Sequence, residues 1–214
     1  MTQRVRIKMC GMTRVDDIHY AASLGVDAIG LIFYPQSPRY VAIEHAKKLV
    51  QDIPAFVDVV AVFVNPELAL VNRVIRELPI QCLQFHGDET AEFCDQFTLP
   101  YIKALQATSG QAIRESCTTY KQAAAILLDT PSTVSRGGSG QVFDWQLIPE
   151  QCTKPIILAG GLNAGNIVAA TERVSPYAVD VCSGVESSPG SKDRYKMNQF
   201  VTELWGRNKG EEYE

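Results

Sequence analysis

Apolar residues recur along the chain in short runs that are rich in β-branched and aromatic side chains. Several runs are apolar at nearly every position, as in the segment 57–64. Strands that are buried on both faces, as in a parallel sheet, show this continuous pattern rather than strict alternation. The predicted strands are 5–9, 28–33, 57–64, 80–85, 101–105, 124–128, 155–159 and 177–181.

The segments between the runs carry apolar residues at helical spacing. Thr13, followed three residues later by Asp16, resembles a capping box and predicts a helix N-terminus. Asn65 followed by Pro66 predicts an N-cap and a first helical residue. Further helices are predicted over 43–50, after Asp88, after Asn163 and after Asp193, with weaker patterns at 109–121 and 143–148.

Strands that alternate with helices indicate a parallel sheet with right-handed crossovers. Eight strands at regular spacing favour an α/β fold of the compact (β/α)8 TIM barrel type, with a parallel eight-stranded closed sheet. A doubly wound open sheet is the alternative, but no G-x-G-x-x-G follows the first strand. We expect one barrel domain over residues 1–207 and a polar tail over 208–214. The 214 residues are few for such a barrel, which typically takes about 250.

Composition and charge narrow the possible partners. The formal charge of −4 argues against a nucleic-acid or anionic-membrane binder, and no apolar window approaches the length of a membrane span. The six cysteines form no C-x-x-C pair, which predicts neither a zinc site nor a disulfide framework. We therefore expect a cytoplasmic protein with reduced thiols and with no metal. Monomer and homodimer are both compatible with the sequence.

Two candidate acid–base groups follow predicted strands, at the edge where β/α barrels place their active sites. Cys10 ends the first strand beside Lys8 and a glycine turn, where the lysine charge and a helix N-terminus would lower the pKa of a thiol. The alternative is a buried, inert cysteine. Asp129 follows the sixth strand, where partial burial would suit a general acid. The alternative is a helix cap or loop anchor.

Arg39 and His86 are candidates for substrate contacts. Arg39 lies in a proline-bracketed loop after the second strand, where a guanidinium can clamp a carboxylate; an ordinary surface arginine is equally compatible. His86 ends the fourth strand beside a glycine, and a structural histidine is the stronger of its two interpretations.

Glycine-bearing turns follow the seventh and eighth strands, at Gly160 and Gly161 and at Ser183 and Gly184. Barrels commonly hold phosphate at these two turns through backbone N–H groups. Two ordinary βα turns are the alternative. A glycine-rich segment at 137–140 would either close over a ligand or act as a plain linker. These features predict a phosphorylated small-molecule substrate and proton transfer without a cofactor.

The chain resembles the phosphoribosylanthranilate isomerase family in segments that occur in the same order at successive predicted strand ends. Single segments of this kind would be weak evidence, whereas the ordered set is specific. Cys182 stands where the family has serine, and Ser139 where it has threonine. The matching segments are 8–13, 33–39, 84–87, 127–129 with 137–140, 143–145, 159–162, 180–186 and 189–193.

The resemblance implies an Amadori rearrangement of N-(5′-phosphoribosyl)anthranilate in tryptophan biosynthesis. It implies that Asp129 is the general acid and Cys10 the general base, and that Arg39 meets the anthranilate end. The remaining implied contacts are His86 and Asp180 as orienting groups, with Gly160, Gly161, Ser183 and Gly184 at the phosphate.

Two other interpretations compete with this one. The first is another phosphate-binding barrel enzyme, such as an indole-glycerol-phosphate synthase or a tryptophan synthase α-type lyase, for which different acid and lysine positions are expected. The second is a non-catalytic barrel that senses or stores a sugar phosphate. Such a barrel would keep the glycine turns but would not need both Cys10 and Asp129.

Overall fold

The chain folds into a closed barrel of eight parallel strands that pair in chain order, with the last strand paired to the first. The computed structural model describes residues 4–130, 144–149 and 152–206. The predicted (β/α)8 barrel is confirmed, and every predicted strand overlaps an observed one. The strands are β1 (Arg6–Met9), β2 (Ala28–Ile32), β3 (Asp58–Phe63), β4 (Cys82–Phe85), β5 (Tyr101–Gln106), β6 (Ala125–Asp129), β7 (Ile156–Leu158) and β8 (Ala178–Val181).

Helices follow the strands and cover the outside of the barrel. No helix within the described ranges is long and apolar enough to cross a membrane. One-turn 3-10 helices occur at Trp145–Leu147, within a weakly predicted segment, and at Ser183–Val185 after β8. The α-helices are α1 (Val15–Ser23), α2 (Ile43–Leu49), α3 (Leu68–Glu77), α4 (Ala91–Cys94), α5 (Gly110–Thr119), α6 (Ile167–Val174) and α7 (Arg194–Gly206).

The continuous apolar pattern of the strands arises because both faces of the sheet are buried. On β3, Val60 and Val62 belong to a cluster that fills the barrel interior. The alternate residues Val59, Ala61 and Phe63 pack outward into the larger cluster beneath the helices. Because successive strand residues point to opposite faces, each face supplies its own apolar layer. Burial of both layers removes apolar surface from water and stabilises the closed sheet.

Two predicted helix starts are wrong, because the side chains that were expected to cap these helices form hydrogen bonds with other loops instead. Helix α1 begins after Arg14, while the Thr13 hydroxyl donates to the carbonyl of Gly190. Asn65 adopts a left-handed conformation with φ 47°. Its side-chain Oδ1 accepts from the N–H of Asp88 at 2.7 Å, so it ties two loops together instead of capping α3.

A short antiparallel hairpin after β8 was not predicted. It consists of β9 (Glu186–Ser188) and β10 (Ser191–Lys192), joined by the turn at Pro189 and Gly190. The strands have only three and two residues, which is too short for a hydrophobic period to show in the sequence. The hairpin folds back against the barrel and brings Lys192 beneath the β8 turn.

The expectation that all thiols are reduced is wrong for Cys117 and Cys152, which form a disulfide. Helix α5 turns Cys117 toward the segment that leads into β7, and the two Cα atoms lie 6.5 Å apart. A sequence separation of 35 residues gives no sign of this pairing. The predicted tail at 208–214 and the glycine-rich segment at 137–140 lie outside the described residues, and the domain limits remain a prediction.

A buried ion pair fixes the turn between β4 and α4. Lys103, on β5, is 1% exposed, and its Nζ donates to the Glu89 carboxylate at 2.8 Å. The same Nζ donates to the carbonyls of Phe85 at 3.2 Å and Gly87 at 2.7 Å. Glu89 in turn accepts the N–H of Gly87 at 2.9 Å. The charge pair therefore holds both sides of the turn that carries His86.

Replacing Lys103 with methionine should destabilise the barrel strongly. The variant leaves the Glu89 carboxylate buried without its counter-charge, which costs about 3–5 kcal/mol in comparable cases. We expect a loss of that size in the free energy of unfolding, measured by urea denaturation at pH 7.

The matched control is Lys47→Met, because Lys47 pairs with Glu44 at 3.0 Å on the surface. Exposed pairs contribute about 0–1 kcal/mol. Equal losses for the two variants would contradict the anchoring role of Lys103.

Candidate active site

A cavity that is partly open to solvent lies at the carboxyl ends of the barrel strands. Eight of the nine predicted site residues line it, and Gly184 does not. Among the described residues, no group of His, Cys, Asp or Glu side chains has the arrangement of a metal site. The predicted residues that line the cavity are Cys10, Arg39, His86, Asp129, Gly160, Gly161, Asp180 and Ser183.

Asp129 ends β6 and is held by N–H groups on both of its oxygens. Oδ2 lies 3.1 Å from Nε2 of His86, and Oδ1 accepts the backbone N–H of Thr130 at 2.8 Å. The side chain is 11% exposed and faces the cavity. The predicted acid and the predicted histidine are therefore direct neighbours, which joins the ends of β4 and β6.

Gln84 determines which nitrogen of His86 carries the proton. The Gln84 amide nitrogen lies 2.9 Å from Nδ1 of His86. An amide NH₂ group can only donate, so Nδ1 accepts and Nε2 carries the hydrogen that points to Asp129. Gln84 is 1% exposed, and its Oε1 has no hydrogen-bond partner within the part of the chain that the structure describes. The histidine is thus oriented from below by a buried amide.

Asp180 on β8 pairs with Lys8 on β1 across the line where the barrel closes. Lys8 Nζ donates to Asp180 Oδ1 at 2.9 Å, and both side chains are nearly inaccessible. Burial alone would lower the pKa of Lys8, but the charge of Asp180 and its hydrogen bond outweigh burial and raise that pKa above its ordinary value. The lysine therefore stays charged beneath the cavity floor.

The expected low pKa of Cys10 is wrong. Cys10 lines the cavity, and its side chain is hydrogen-bonded to Cys182. That hydrogen bond and burial raise the pKa of Cys10 well above its ordinary value, and the nearby charge of Lys8 only partly offsets them. Helix α1 begins at Val15, so its N-terminus is not adjacent to the thiol. Cys10 accordingly rests as a thiol.

Arg39 is held by a carboxylate that the sequence analysis did not single out. Its Nε donates to Glu186 Oε1 at 2.9 Å, and its Nη2 donates to Oε2 at 2.6 Å. Lys192 Nζ also donates to Glu186 Oε1 at 2.9 Å. The arginine side chain is 11% exposed, which excludes an ordinary surface arginine. Its Nη1 has no hydrogen-bond partner among the described residues, and Arg39 lines the cavity.

The two glycine turns lie side by side at the rim. Gly160 has φ 80°, and a β-carbon there would collide with Thr130 and come within 2.8 Å of Asp129 Oδ1. Gly184 lies so close to the Leu162 carbonyl that no side chain fits. Both positions therefore require glycine. At Gly184 the absence of a side chain lets the turn after β8 pack directly against the turn after β7. The N–H groups of Gly160, Gly161 and Ser183 make no hydrogen bond within the described residues.

Comparison with known proteins identifies the family. Residues 7–203 match the family model described as N-(5′-phosphoribosyl)anthranilate (PRA) isomerase. The chain is 57% identical over 203 residues to an N-(5′-phosphoribosyl)anthranilate isomerase of Legionella pneumophila, covering 95% of this chain and 98% of that protein. The chain belongs to the N-(5′-phosphoribosyl)anthranilate isomerase family.

Solved structures of isomerases in this family have the same fold. The crystal structure of the phosphoribosyl anthranilate isomerase from Thermotoga maritima superposes with a TM-score of 0.87 at 35% identity, covering 94% of this chain and 99% of that one. A second crystal structure, a phosphoribosyl anthranilate isomerase in complex with reduced 1-(o-carboxyphenylamino)-1-deoxyribulose 5-phosphate, superposes with a TM-score of 0.81 at 33% identity. It covers 94% of this chain and 99% of that chain.

Three residues of this family member hold the site but were missed in the sequence. Gln84 lies inside a recognised segment, and its place on the inner face of β4 was the available signal. Glu186 follows the β8 turn, where an acid that is 6% exposed requires a partner. Lys192 gave no signal, because its contact with Glu186 depends on the hairpin β9–β10.

Replacing Gln84 with glutamate should change the protonation of His86. A carboxylate at the amide position accepts a hydrogen bond, so Nδ1 must carry a proton in the variant. We expect nitrogen NMR of the three histidines to show the His86 proton on Nε2 in the parent protein. In Gln84→Glu the same ring should carry an Nδ1–H group.

His19, on the barrel exterior, is the internal reference and should not change between the two proteins. A parent His86 that already carries its proton on Nδ1 would contradict the role of Gln84.

Proposed function

We propose that this chain catalyses the Amadori rearrangement of N-(5′-phosphoribosyl)anthranilate to 1-(2-carboxyphenylamino)-1-deoxyribulose 5-phosphate. Family membership supports the reaction. The assignment of the acid and the base rests on one observation, that Cys10 and Asp129 line the same cavity. The reduced 1-(o-carboxyphenylamino)-1-deoxyribulose 5-phosphate bound by a relative is an analogue of the proposed product. A cytoplasmic setting would favour a reduced Cys10, as a thiol base requires, although Cys117 and Cys152 form a disulfide.

Asp129 acts as the general acid in the first step. Its carboxyl group donates a proton to the ring oxygen of the ribose, and the ring opens to a Schiff base. The N–H of Thr130 and Nε2–H of His86 then stabilise the carboxylate that remains, because both point at its oxygens. Hydrogen bonds that strengthen as the proton leaves favour its transfer.

Cys10 acts as the general base in the second step. Its sulfur removes the proton from C2 of the opened sugar, and the enol that forms tautomerises to the ketone. The reacting form is the thiolate, which must form from the resting thiol against the raised pKa of Cys10, and the buried charge of Lys8 partly offsets that cost. Proton transfer by positioned groups of this kind contributes about 10²–10⁴-fold to a rate.

The two anionic ends of the substrate are held by different parts of the rim. Arg39 presents Nη1 to the anthranilate carboxylate, while Glu186 fixes the rest of its guanidinium. The phosphate is bound by the backbone N–H groups of Gly160, Gly161 and Ser183, with Gly184 keeping the two turns together. Asp180 contributes through Lys8, as the counter-charge that keeps the lysine in place.

Removing either acid–base group should lower turnover without abolishing substrate binding. We expect Cys10→Ala and Asp129→Ala each to reduce kcat by about 10²–10⁴-fold, because each loses one proton-transfer group. The measurement is the loss of anthranilate-type fluorescence on addition of freshly prepared phosphoribosylanthranilate.

Cys94→Ala is the control for loss of a thiol, because Cys94 is buried in α4 and does not line the cavity. It should retain kcat within a factor of two or so. Near-parental turnover in Cys10→Ala or Asp129→Ala would overturn that residue's assignment.

Removing the arginine should weaken substrate binding more than it slows the chemistry. We expect Arg39→Met to raise KM about 10- to 100-fold, the range of a lost charged hydrogen bond, with a smaller change in kcat. Arg39→Lys keeps the charge but not the planar fork and should give an intermediate KM.

Unfolding of both Arg39 variants must be followed in parallel, because Arg39 also neutralises the buried Glu186. An unchanged KM in folded Arg39→Met would exclude the arginine from the carboxylate site.

A further inference from the structure

We propose that the cavity contains an oxidation site, in which Cys10 and Cys182 join as a disulfide when exposed to a peroxide. The disulfide would inactivate the enzyme reversibly, and this effect on activity rests on the proposed function. Formation of the disulfide is independent of the proposed function.

Strands β1 and β8, which pair to close the barrel, place the two cysteines at the same height along the barrel axis. The register of β1 and β8 pairs Met9 with Val181, and the N–H of Cys10 donates to the Val181 carbonyl at 2.9 Å. Continuing the register by one residue sets Cys10 opposite Cys182, and both side chains line the cavity. Paired parallel strands lie about 4.8 Å apart, which is within the Cα spacing of about 4.4–6.8 Å that a disulfide requires.

The two thiols are close enough to shift each other's pKa, upward for Cys10 and downward for Cys182, and both line the cavity. A disulfide therefore needs rotation of side chains but no movement of the barrel strands. Residues in the same register on neighbouring strands point to the same face, so the two Cβ atoms converge on the cavity. This juxtaposition depends on barrel closure, because Cys10 and Cys182 are 172 positions apart in the sequence.

Charges around Cys182 make it the attacking sulfur. The neighbouring Cys10 side chain and the charges of Lys192 and Arg39 together lower the pKa of Cys182 below its ordinary value. Lys192 Nζ lies 3.9 Å from the Cys182 sulfur. Burial and the charge of Glu186 oppose ionisation without cancelling these effects. A thiolate in contact with a second thiol is the arrangement that peroxide-sensitive pairs require.

The chemistry balances with the peroxide as the only oxidant. The Cys182 thiolate attacks one peroxide oxygen, the O–O bond breaks, and the departing hydroxide takes a proton to become water. The Cys10 thiol then attacks the sulfur of the resulting sulfenic acid, forming the S–S bond and releasing a second water. Two thiols have lost two electrons, and a dithiol reductant returns them by thiol–disulfide exchange.

The other free cysteines lack this arrangement. Burial raises the pKa of Cys82 to about 11 and that of Cys94 to about 12, so both are thiols at neutral pH. Cys117 and Cys152 are already bonded to each other. We therefore expect the first oxidation by peroxide to occur at the pair in the cavity.

The test treats the folded protein with hydrogen peroxide, blocks remaining thiols and maps peptides without reduction. We expect a cross-linked peptide pair containing Cys10 and Cys182, two hydrogens lighter than the two peptides together. Activity should fall at least tenfold along with the appearance of the cross-link and should return with dithiothreitol.

Cys182→Ser supplies the decisive comparison, with each protein normalised to its own untreated activity. This variant should form no cross-link and should show no loss that dithiothreitol restores, whereas Cys94→Ser should behave as the parent. Absence of the cross-linked peptide in treated parent protein would overturn the proposal, as would an equal reversible loss in Cys182→Ser. An untreated protein without isomerase activity would instead refute the proposed function. The peptide map would still test the disulfide, because it does not depend on activity.

Discussion

Pairing between the first and the last strand is the constraint on which the site depends. The register of β1 against β8 aligns Lys8 with Asp180, and their side chains form an ion pair beneath the cavity. A lysine and an aspartate buried separately would each be too costly for a barrel interior, because an isolated buried charge has no compensation. Closure therefore stabilises the two charges, and the two charges favour this register over a shifted one.

Above that pair, each chemical group is held by a partner from a different strand or loop. His86 joins the end of β4 to Asp129 on β6, and the hairpin after β8 supplies Glu186 to the arginine of the β2 loop. Such cross-strand bonds restrict the side chains before any ligand arrives. Groups that are already oriented need less reorganisation during the reaction, which is the main way that a rigid barrel accelerates proton transfer.

The sequence was sufficient for the barrel and for most residues that line the candidate site, because both depend on local signals. Continuous apolar runs mark strands that are buried on two faces, and chemistry in such barrels lies at the strand ends. Pairings between distant residues left no local signal. The proximity of Lys8 to Cys10 suggested a thiolate, but Asp180 and Cys182, about 170 residues further on, reverse that conclusion. Similarly, Asn65 is a residue type that commonly caps helices, but its side chain accepts a hydrogen bond from the loop at Asp88 instead.

The internal pairing of cations has a consequence for how an anionic ligand reaches the cavity. Lys8 is matched by Asp180, while Arg39 and Lys192 share the one carboxylate of Glu186, so these groups together leave only one net positive charge at the cavity. The chain as a whole carries a charge of −4, which repels a ligand bearing phosphate and carboxylate groups. Capture therefore relies on short, directional hydrogen bonds formed after entry rather than on long-range attraction.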